Sequence, residues 1–242
     1  MTKGDMNAPD TPAHETWDLW QDRAHEPALN MALDEALLLT AAARARPLLR
    51  FYAWGCQAVT IGYVQRHAAA PAGFAVIRRL TGGGVVYHDH DFTYTVVVPE
   101  GHWLTGLDRL HRYRWINRSV QAGLERCRLR AELAADEIPH QVDRLTMVCF
   151  QNPTRYDVLL AGRKVAGSAQ RRTRAGLLHQ GSLHFGAPLP LPRPRLAEAL
   201  IEGFRVTLNL DFEPFTPNAK TLALAQQLAT EKYGSDAWNQ RR

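Results

Sequence analysis

The sequence has few cysteines and lacks a long apolar run, and both shortages exclude classes of protein. Its three cysteines, Cys56, Cys127 and Cys149, have unrelated spacings, no Cys-x-x-Cys pair and no metal-type arrangement with histidine. Neither a disulfide framework nor a metal site is therefore predicted. No apolar run approaches the roughly 18 to 20 residues that a membrane helix needs, and the polar N-terminus is unlike a signal peptide. We expect a cytoplasmic protein without a membrane partner.

Composition and charge limit the organisation and the partners. With 45% hydrophobic and 22% charged residues, the 242-residue chain suits one globular domain with a substantial core. We expect a disordered tail over residues 1–15 and a single domain over residues 16–242. The net charge of +5 favours acidic partners. Basic residues are scattered apart from Arg171, Arg172 and Arg174, and no nucleic-acid-binding motif organises them, so nucleic acid is not predicted as a partner.

Hydrophobic periodicity and Gly/Pro positions predict alternating helices and strands. Residues 17–23 form a short amphipathic stretch, and residues 48–54 and 58–63 are predicted to pair as a hairpin across Gly55-Cys56-Gln57. The remaining predicted elements are helices over 28–45, 107–128, 195–204 and 217–233, and strands over 92–98, on both sides of a tight turn at 161–163, and over 177–185.

Three consecutive glycines, Gly82, Gly83 and Gly84, lie between two segments of strand character. Glycine leaves backbone N–H groups unshielded, so that a ligand can lie directly against them. No helical pattern follows, which excludes the dinucleotide fingerprint and the phosphate loop that ends in Gly-Lys-Ser/Thr. The glycines alone fit either a binding loop or a hairpin turn with charged flanks.

The full string from Arg78 to Asp89, Arg-Arg-x-x-Gly-Gly-Gly-x-Val-x-His-Asp, resembles the signature of the lipoate-protein ligase and octanoyltransferase family. The segments 30–36 and 162–170 resemble further parts of that family, so that the likeness spans roughly residues 16–235. It implies an α/β (α+β) fold, a biotinyl/lipoyl-ligase-type catalytic domain with a mostly antiparallel mixed sheet flanked by helices. The length indicates that the C-terminal accessory domain of many ligases is absent.

The resemblance also places a set of residues at the substrate site. Two alternative roles are open for His88, beside Asp89. It acts as a carboxylate-oriented general base for the incoming lysine, or His88 and Asp89 together fix the shape of the loop by hydrogen bonding to its backbone. Asp34 and Glu35 are expected on the solvent face of their helix, and no catalytic role is assigned to them. The predicted substrate-binding residues are Arg79, Gly82, Gly83, Gly84, His88, Gln65, Gly167 and Ser168.

The resemblance assigns the role of the family's essential lysine to Lys164. The small apolar residues 165–169 do not suit an exposed edge, which predicts a lysine in a packed cleft, where its ammonium can stabilise an oxyanion. Cys149 begins a Cys-Phe-x-x-Pro-x-x-Tyr-Asp segment that resembles the nucleophile segment of the cysteine-dependent octanoyltransferase branch. By composition alone Cys149 also fits a small buried hydrophobe. A nearby ammonium lowers the pKa of a thiol, so we expect Cys149 as nucleophile and Lys164 as its activator.

Three functions remain open at this stage. The first is transfer of octanoyl from octanoyl-acyl carrier protein, through a Cys149 thioester, to a lysine of a lipoyl domain, with glycine cleavage protein H as one candidate acceptor and no cofactor. The second is an ATP-dependent lipoate-protein ligase, which needs ATP and Mg²⁺. The third is a non-catalytic lipoyl-domain binding module. One departure from the octanoyltransferase branch is that its Gln-His-Gly-Ser reads His179-Gln180-Gly181-Ser182 here.

Overall fold

Two β-sheets organise the computed structural model, which describes residues 12–135, 150, 153–186 and 188–241. Eight strands form the larger sheet in the order β11-β1-β2-β6-β10-β9-β8-β7, and three form a smaller sheet in the order β4-β3-β5. The strands are β1 Glu15–His25, β2 Leu48–Trp54, β3 Ala58–Ile61, β4 Ala75–Arg78, β5 Val86–His88, β6 Phe92–Pro99, β7 Ala131–Leu133, β8 Val158–Leu160, β9 Arg163–Thr173, β10 Gly176–Leu183 and β11 Leu210–Pro214.

The larger sheet is mixed and mostly antiparallel. Strand β1 pairs in parallel with both β11 and β2, and the other neighbouring strands pair antiparallel. In the smaller sheet, β3 pairs in parallel with β4 and antiparallel with β5. The predicted mixed, mostly antiparallel sheet is confirmed, whereas the second sheet was not predicted.

Helices cover both faces of the larger sheet. On one face α4 and α5 pack against each other and against the main hydrophobic core. Gly203 permits their close approach, because a Cβ on it would lie 2.3 Å from the Ser119 carbonyl oxygen. The helices are α1 Pro27–Leu39, α2 Ala41–Arg44, α3 Trp103–Gly106, α4 Arg109–Arg126, α5 Arg193–Leu208, α6 Ala219–Leu228 and α7 Asp236–Asn239, with a π-helical turn at Ala229–Tyr233. None of the helices within the described ranges is long and apolar enough to cross a membrane.

Helix α1 packs on the opposite face, and the prediction that Asp34 and Glu35 face solvent was wrong. Asp34 is fully buried and pairs with Arg50, whose Nη1 lies 2.6 Å from Asp34 Oδ1. Glu35 accepts hydrogen bonds from Lys232 and Tyr233. An apolar stripe does not show which carboxylates find a partner on another element, because partners such as Arg50 come from distant parts of the chain.

The predicted strands 48–54 and 58–63 exist, but their pairing as a hairpin was wrong. Strand β2 joins the larger sheet beside β6, whereas β3 joins the smaller sheet between β4 and β5. The residues 17–23, to which no element was assigned, belong to the eleven-residue strand β1. The tight turn between β8 and β9 is confirmed, with Ala161 and Gly162 both at positive φ (47° and 74°), as the type I′ turn of a two-residue hairpin requires.

Candidate active site

A pocket lies where the smaller sheet faces the larger sheet and helix α1. Its space, including the part open to solvent, is about 380 Å³. The walls combine apolar side chains, which suit an acyl chain, with a few polar groups that can orient a reacting carbonyl. The lining residues are Met31, Tyr52, Trp54, Thr60, Arg79, Val86, His88, Thr93, Gly167, Ser168, Ala169, Gln180, Gly181 and Ser182.

Arg79 holds the triple-glycine loop at one side of this pocket. Its Nη2 donates to the carbonyl oxygens of Gly82 and Gly84 at 2.6 and 2.7 Å, and its Nη1 donates to the Thr60 carbonyl at 3.1 Å. Gly83 adopts φ +86°, a left-handed conformation that glycine accepts without strain. The guanidinium therefore shapes the loop through its carbonyls and also borders the pocket.

Gly62 and Gln65 stabilise the position of the glycine loop. A Cβ on Gly62 would lie 2.1 Å from the Gly83 carbonyl oxygen, so that only glycine fits there. Gln65 is buried, and its Oε1 accepts from the Gly62 N–H at 3.0 Å. Its backbone carbonyl accepts from Arg78 at 2.6 Å. Gln65 does not line the pocket, and its position is one of support for the glycine loop.

His88 lines the pocket within a chain of polar side chains. Its Nδ1 lies 2.8 Å from Asp91 Oδ2, and its Nε2 lies 2.9 Å from Thr60 Oγ1. Its ring stacks on Trp54 with the ring centroids 4.0 Å apart. The prediction of Asp89 as the partner of His88 was wrong, because the carboxylate three residues along occupies that place. Asp89 instead lies 3.6 Å from His184. The bonds of His88 run to side chains, not to the backbone of the glycine loop.

Asp91 is the buried anchor of this chain. Burial by itself raises the pKa of a carboxyl, but the adjacent His88 and the hydroxyls of Thr93 and Ser182 outweigh it and hold the pKa of Asp91 below its usual value. The two hydroxyls donate to the carboxylate at 2.6 and 2.7 Å. A carboxylate that stays ionised fixes the His88 ring, with the N–H on Nδ1 pointing towards Asp91.

Gln180 and Asp34 form a polar network between α1 and strand β10. Gln180 Nε2 donates to Asp34 Oδ2 at 2.7 Å, and its Oε1 accepts from Thr81 Oγ1 at 2.7 Å. The alternation of side chains along a strand places His179 on the other face, where its Nε2 lies 3.3 Å from the Tyr94 hydroxyl. Because this chain has His179-Gln180 where the octanoyltransferase branch has Gln-His, the pocket receives the Gln180 amide and the core receives the His179 imidazole.

Lys164 is buried at the start of β9. Its ammonium lies 2.7 Å from Asp157 Oδ2, and both side chains are almost fully buried. In the pairing with β8, Val158 opposes Ala166 and Leu159 opposes Lys164. Val165 is therefore the extra residue of a β-bulge, a feature that redirects neighbouring side chains. The structure buries Lys164 but does not place it among the residues that line the pocket.

The predicted nucleophile, Cys149, lies outside the described residues. Its neighbour Phe150 is described, and the Phe150 ring centroid lies 5.7 Å from the Lys164 ammonium. The surroundings of the other two cysteines disfavour the thiolate. Burial raises the pKa of both thiols, and at Cys56 the carboxylate of Glu26 raises it further, so that the thiolate fraction of each falls.

Of the eight predicted substrate-binding residues, four line the pocket: Arg79, His88, Gly167 and Ser168. The other four, which are the three glycines of the loop and Gln65, lie outside the pocket lining and support the residues that form it. Sequence reasoning missed most of the apolar wall and Thr60, because nothing in the spacing of single strands shows which of them meet. Gln180, Gly181 and Ser182 stood in a segment that resembles the family, which was the one signal available for them.

The family model of the lipoyl protein ligase A/B catalytic domain matches residues 26–201. The chain belongs to this family. The matched region contains the glycine loop, His88 and the Lys164 hairpin. Among curated relatives, the octanoyltransferase LipM of Geobacillus kaustophilus is 32% identical over an alignment that covers 95% of this chain and 100% of the relative. That of Bacillus subtilis is 31% identical over 94% of this chain and 99% of the relative.

Solved structures of the family share the fold. A lipoate-protein ligase A bound with ATP has a TM-score of 0.76 and 24% identity, over 93% of this chain and 98% of that protein. A bi-partite lipoate protein ligase from Thermoplasma acidophilum has a TM-score of 0.73 and 24% identity, over 94% of this chain and 97% of that protein. At this identity the structural likeness establishes the fold only.

Proposed function

We propose that the protein is a cytoplasmic octanoyltransferase in protein lipoylation. It takes octanoyl from octanoyl-acyl carrier protein onto Cys149 as a thioester and passes it to a lysine of a lipoyl domain, for which glycine cleavage protein H is a candidate. Support comes from the LipM octanoyltransferases that align over nearly the whole chain. Exchange between thioesters is near balance and amide formation is downhill, so the proposal includes no cofactor.

The observation that carries the proposal is the buried ion pair of Lys164 with Asp157. A lysine ammonium fixed by a carboxylate in a buried place can supply the positive group that acyl transfer needs at a developing oxyanion. An ammonium has three donors, so that one bond to Asp157 is compatible with one to an oxyanion. Phe150, next in sequence to Cys149, contacts this ammonium. In our proposal Lys164 first favours the Cys149 thiolate and then stabilises the tetrahedral intermediate.

The pocket supplies the remaining requirements of the reaction. Met31, Val86 and Ala169 offer an apolar wall to the acyl chain, and Arg79 and His88 offer polar groups beside it. In the second half-reaction the acceptor lysine must lose a proton. His88, held by Asp91, can accept it at Nε2 once the bond with Thr60 opens.

The test is the intact mass of the purified protein after mixing with octanoyl-acyl carrier protein in the absence of ATP. We expect the gain of one octanoyl group, released by hydroxylamine, in the native protein and in matched Cys56→Ala and Cys127→Ala controls. The Cys149→Ala variant should gain none. Lys164→Ala should acylate more slowly by about a hundredfold or more, since it removes a fixed charge at the oxyanion.

Two outcomes would contradict the proposal. Full transfer activity in Cys149→Ala would remove the nucleophile. The absence of an adduct, together with modification of a lipoyl domain when lipoate or octanoate and Mg-ATP are supplied, would make the protein a ligase. If no acylated species forms under either condition and Lys164→Ala still binds a lipoyl domain, the protein is a non-catalytic binding module.

A further inference from the structure

Tyr63 lies between two arginines at the surface. The Arg241 guanidinium carbon is 3.7 Å from the centre of the Tyr63 ring, and that of Arg171 is 4.6 Å from it. The hydrogen bond and charge of Arg241, aided by the charge of Arg171, lower the pKa of the Tyr63 phenol. Arg241 also donates to the Tyr63 carbonyl at 2.9 Å, which fixes its position. We name these three residues the arginine platform.

The two charges of the arginine platform are not neutralised by the part of the chain that the structure describes. No carboxylate of those residues lies within 4 Å of Arg171 or Arg241, whereas the adjacent Arg172 pairs with Glu100 at 2.7 Å. Two like charges around one ring repel each other. An anion from outside the chain would relieve that repulsion, and planar guanidiniums suit phosphate and carboxylate groups in particular.

The arginine platform lies next to the glycine loop, which approaches the pocket lining at Ala169. Tyr63 follows Gly62, which packs against the Gly83 carbonyl. A Cβ on Gly83 would in turn lie 3.7 Å from the Cβ of Ala169, which lines the pocket. Arg171 is two residues beyond Ala169 on β9, in the regular stretch of pairing with β10, and so projects from the same face. Val64, beside the platform, is 62% exposed and adds an apolar contact.

We propose that the arginine platform docks the octanoyl donor, an acyl carrier with an acidic surface whose thioester arm is attached through a phosphodiester. The inference rests on the function proposed above and names how that site selects its donor. The phosphodiester decides between the two substrates. The donor brings this phosphate towards the pocket, whereas the acceptor domain brings no phosphate and presents a lysine. Planar guanidiniums suit a phosphate, so the arginines favour the donor.

The experiment compares two donors in single-turnover acylation of the protein: octanoyl-acyl carrier protein, and octanoyl-N-acetylcysteamine, which has neither phosphate nor protein. The variants are Arg171→Glu, Arg241→Glu and the double variant. Arg118→Glu is the control, because Arg118 is an exposed arginine that, like the two partly buried platform arginines, has no carboxylate partner among the described residues, but lies on α4 at the opposite face of the sheet. The second-order acylation rate constant is measured with each donor, and we expect the double variant to lower the ratio of the carrier value to the small-thioester value by about tenfold or more.

Salt provides a second readout. The carrier reaction of the native protein should slow as ionic strength rises, and that dependence should be shallower in the double variant. An equal loss with both donors would overturn the inference, because it would show that the arginines act by shaping the loop. Unchanged acylation with slower transfer to the lipoyl domain would overturn it as well, by assigning the platform to the acceptor. If the native protein takes octanoyl from neither donor, the proposed function fails first and the docking inference with it.

Discussion

The buried His179 leads us to expect a specific loss of folding stability in acid. It is fully buried in the middle of β10, and burial lowers its pKa to about 3. The Gln170 side-chain nitrogen can only donate, so the contact at 3.0 Å makes His179 Nδ1 the acceptor and puts the proton on Nε2, facing the Tyr94 hydroxyl. The folded protein therefore holds a neutral imidazole.

The magnitude follows from the two pKa values. The unfolded chain protonates this imidazole near its ordinary pKa of 6.5, and the folded chain only near 3. Between these values the unfolded state binds more protons, so that the free energy of unfolding falls as the pH is lowered. At one pKa unit per 1.36 kcal/mol, this group costs about 2 kcal/mol of stability by pH 5 relative to neutral pH.

The measurement is urea unfolding near pH 7.5 and near pH 5 for the native protein, His179→Asn and the exposed control His90→Asn. Asn keeps an oxygen close to Nδ1 that can accept from Gln170. We expect His179→Asn to be less stable at neutral pH but to lose about 2 kcal/mol less than the native protein between the two pH values. The control should retain the native pH dependence. An unchanged pH dependence in His179→Asn would refute the reasoning, whatever its absolute stability.

Two further predictions concern the glycine loop and the buried ion pair of Asp34 with Arg50. Gly62→Ala would place a Cβ against the Gly83 carbonyl and displace the loop, so octanoyl transfer should fall about a hundredfold. Gly106→Ala, where a Cβ meets no atom of the described residues within 4 Å, should match the native rate. Asp34→Ala would leave Arg50 buried with Asp22 as its one charged partner among the described residues, and urea unfolding should show a loss of about 3 kcal/mol. A loss below about 1 kcal/mol would contradict this estimate of the buried pair.

Local pattern was sufficient where an element depends on its own residues. The β6 strand has the alternation Phe92-Thr93-Tyr94-Thr95, which buries aromatic rings in the main core and turns hydroxyls towards α1 and Asp91. The turn before Lys164 needed only Gly162 and a neighbour that tolerates positive φ. The strands and helices predicted from such signals are confirmed by the structure within a few residues.

Local pattern failed where the partner of an element is remote. Gly55-Cys56-Gln57 joins two consecutive strands, as a hairpin loop does, yet β2 pairs with β1 and β6 and leaves β3 to the smaller sheet. Strand β1 was missed for the same reason. The partners of β1 in the sheet are β2 and β11, and β11 lies near the end of the chain. The stability of β1 therefore comes from pairings that its own sequence does not predict.

The same distinction explains which parts of the site the sequence could name. The glycine loop and the Lys164 hairpin depend on backbone conformation, which short motifs encode, and the structure contains both. The orientation of His88 depends on Asp91, three residues away around a turn, and on Thr60 from another strand. The polar network between α1 and β10 depends on Asp34 and Gln180, which are brought together only by the order of the sheet. The partners that the sequence could not name are therefore those set by packing: Thr60 at His88 and Asp34 at Gln180 come from distant elements, and even the nearby Asp91 reaches His88 only through the course of a turn.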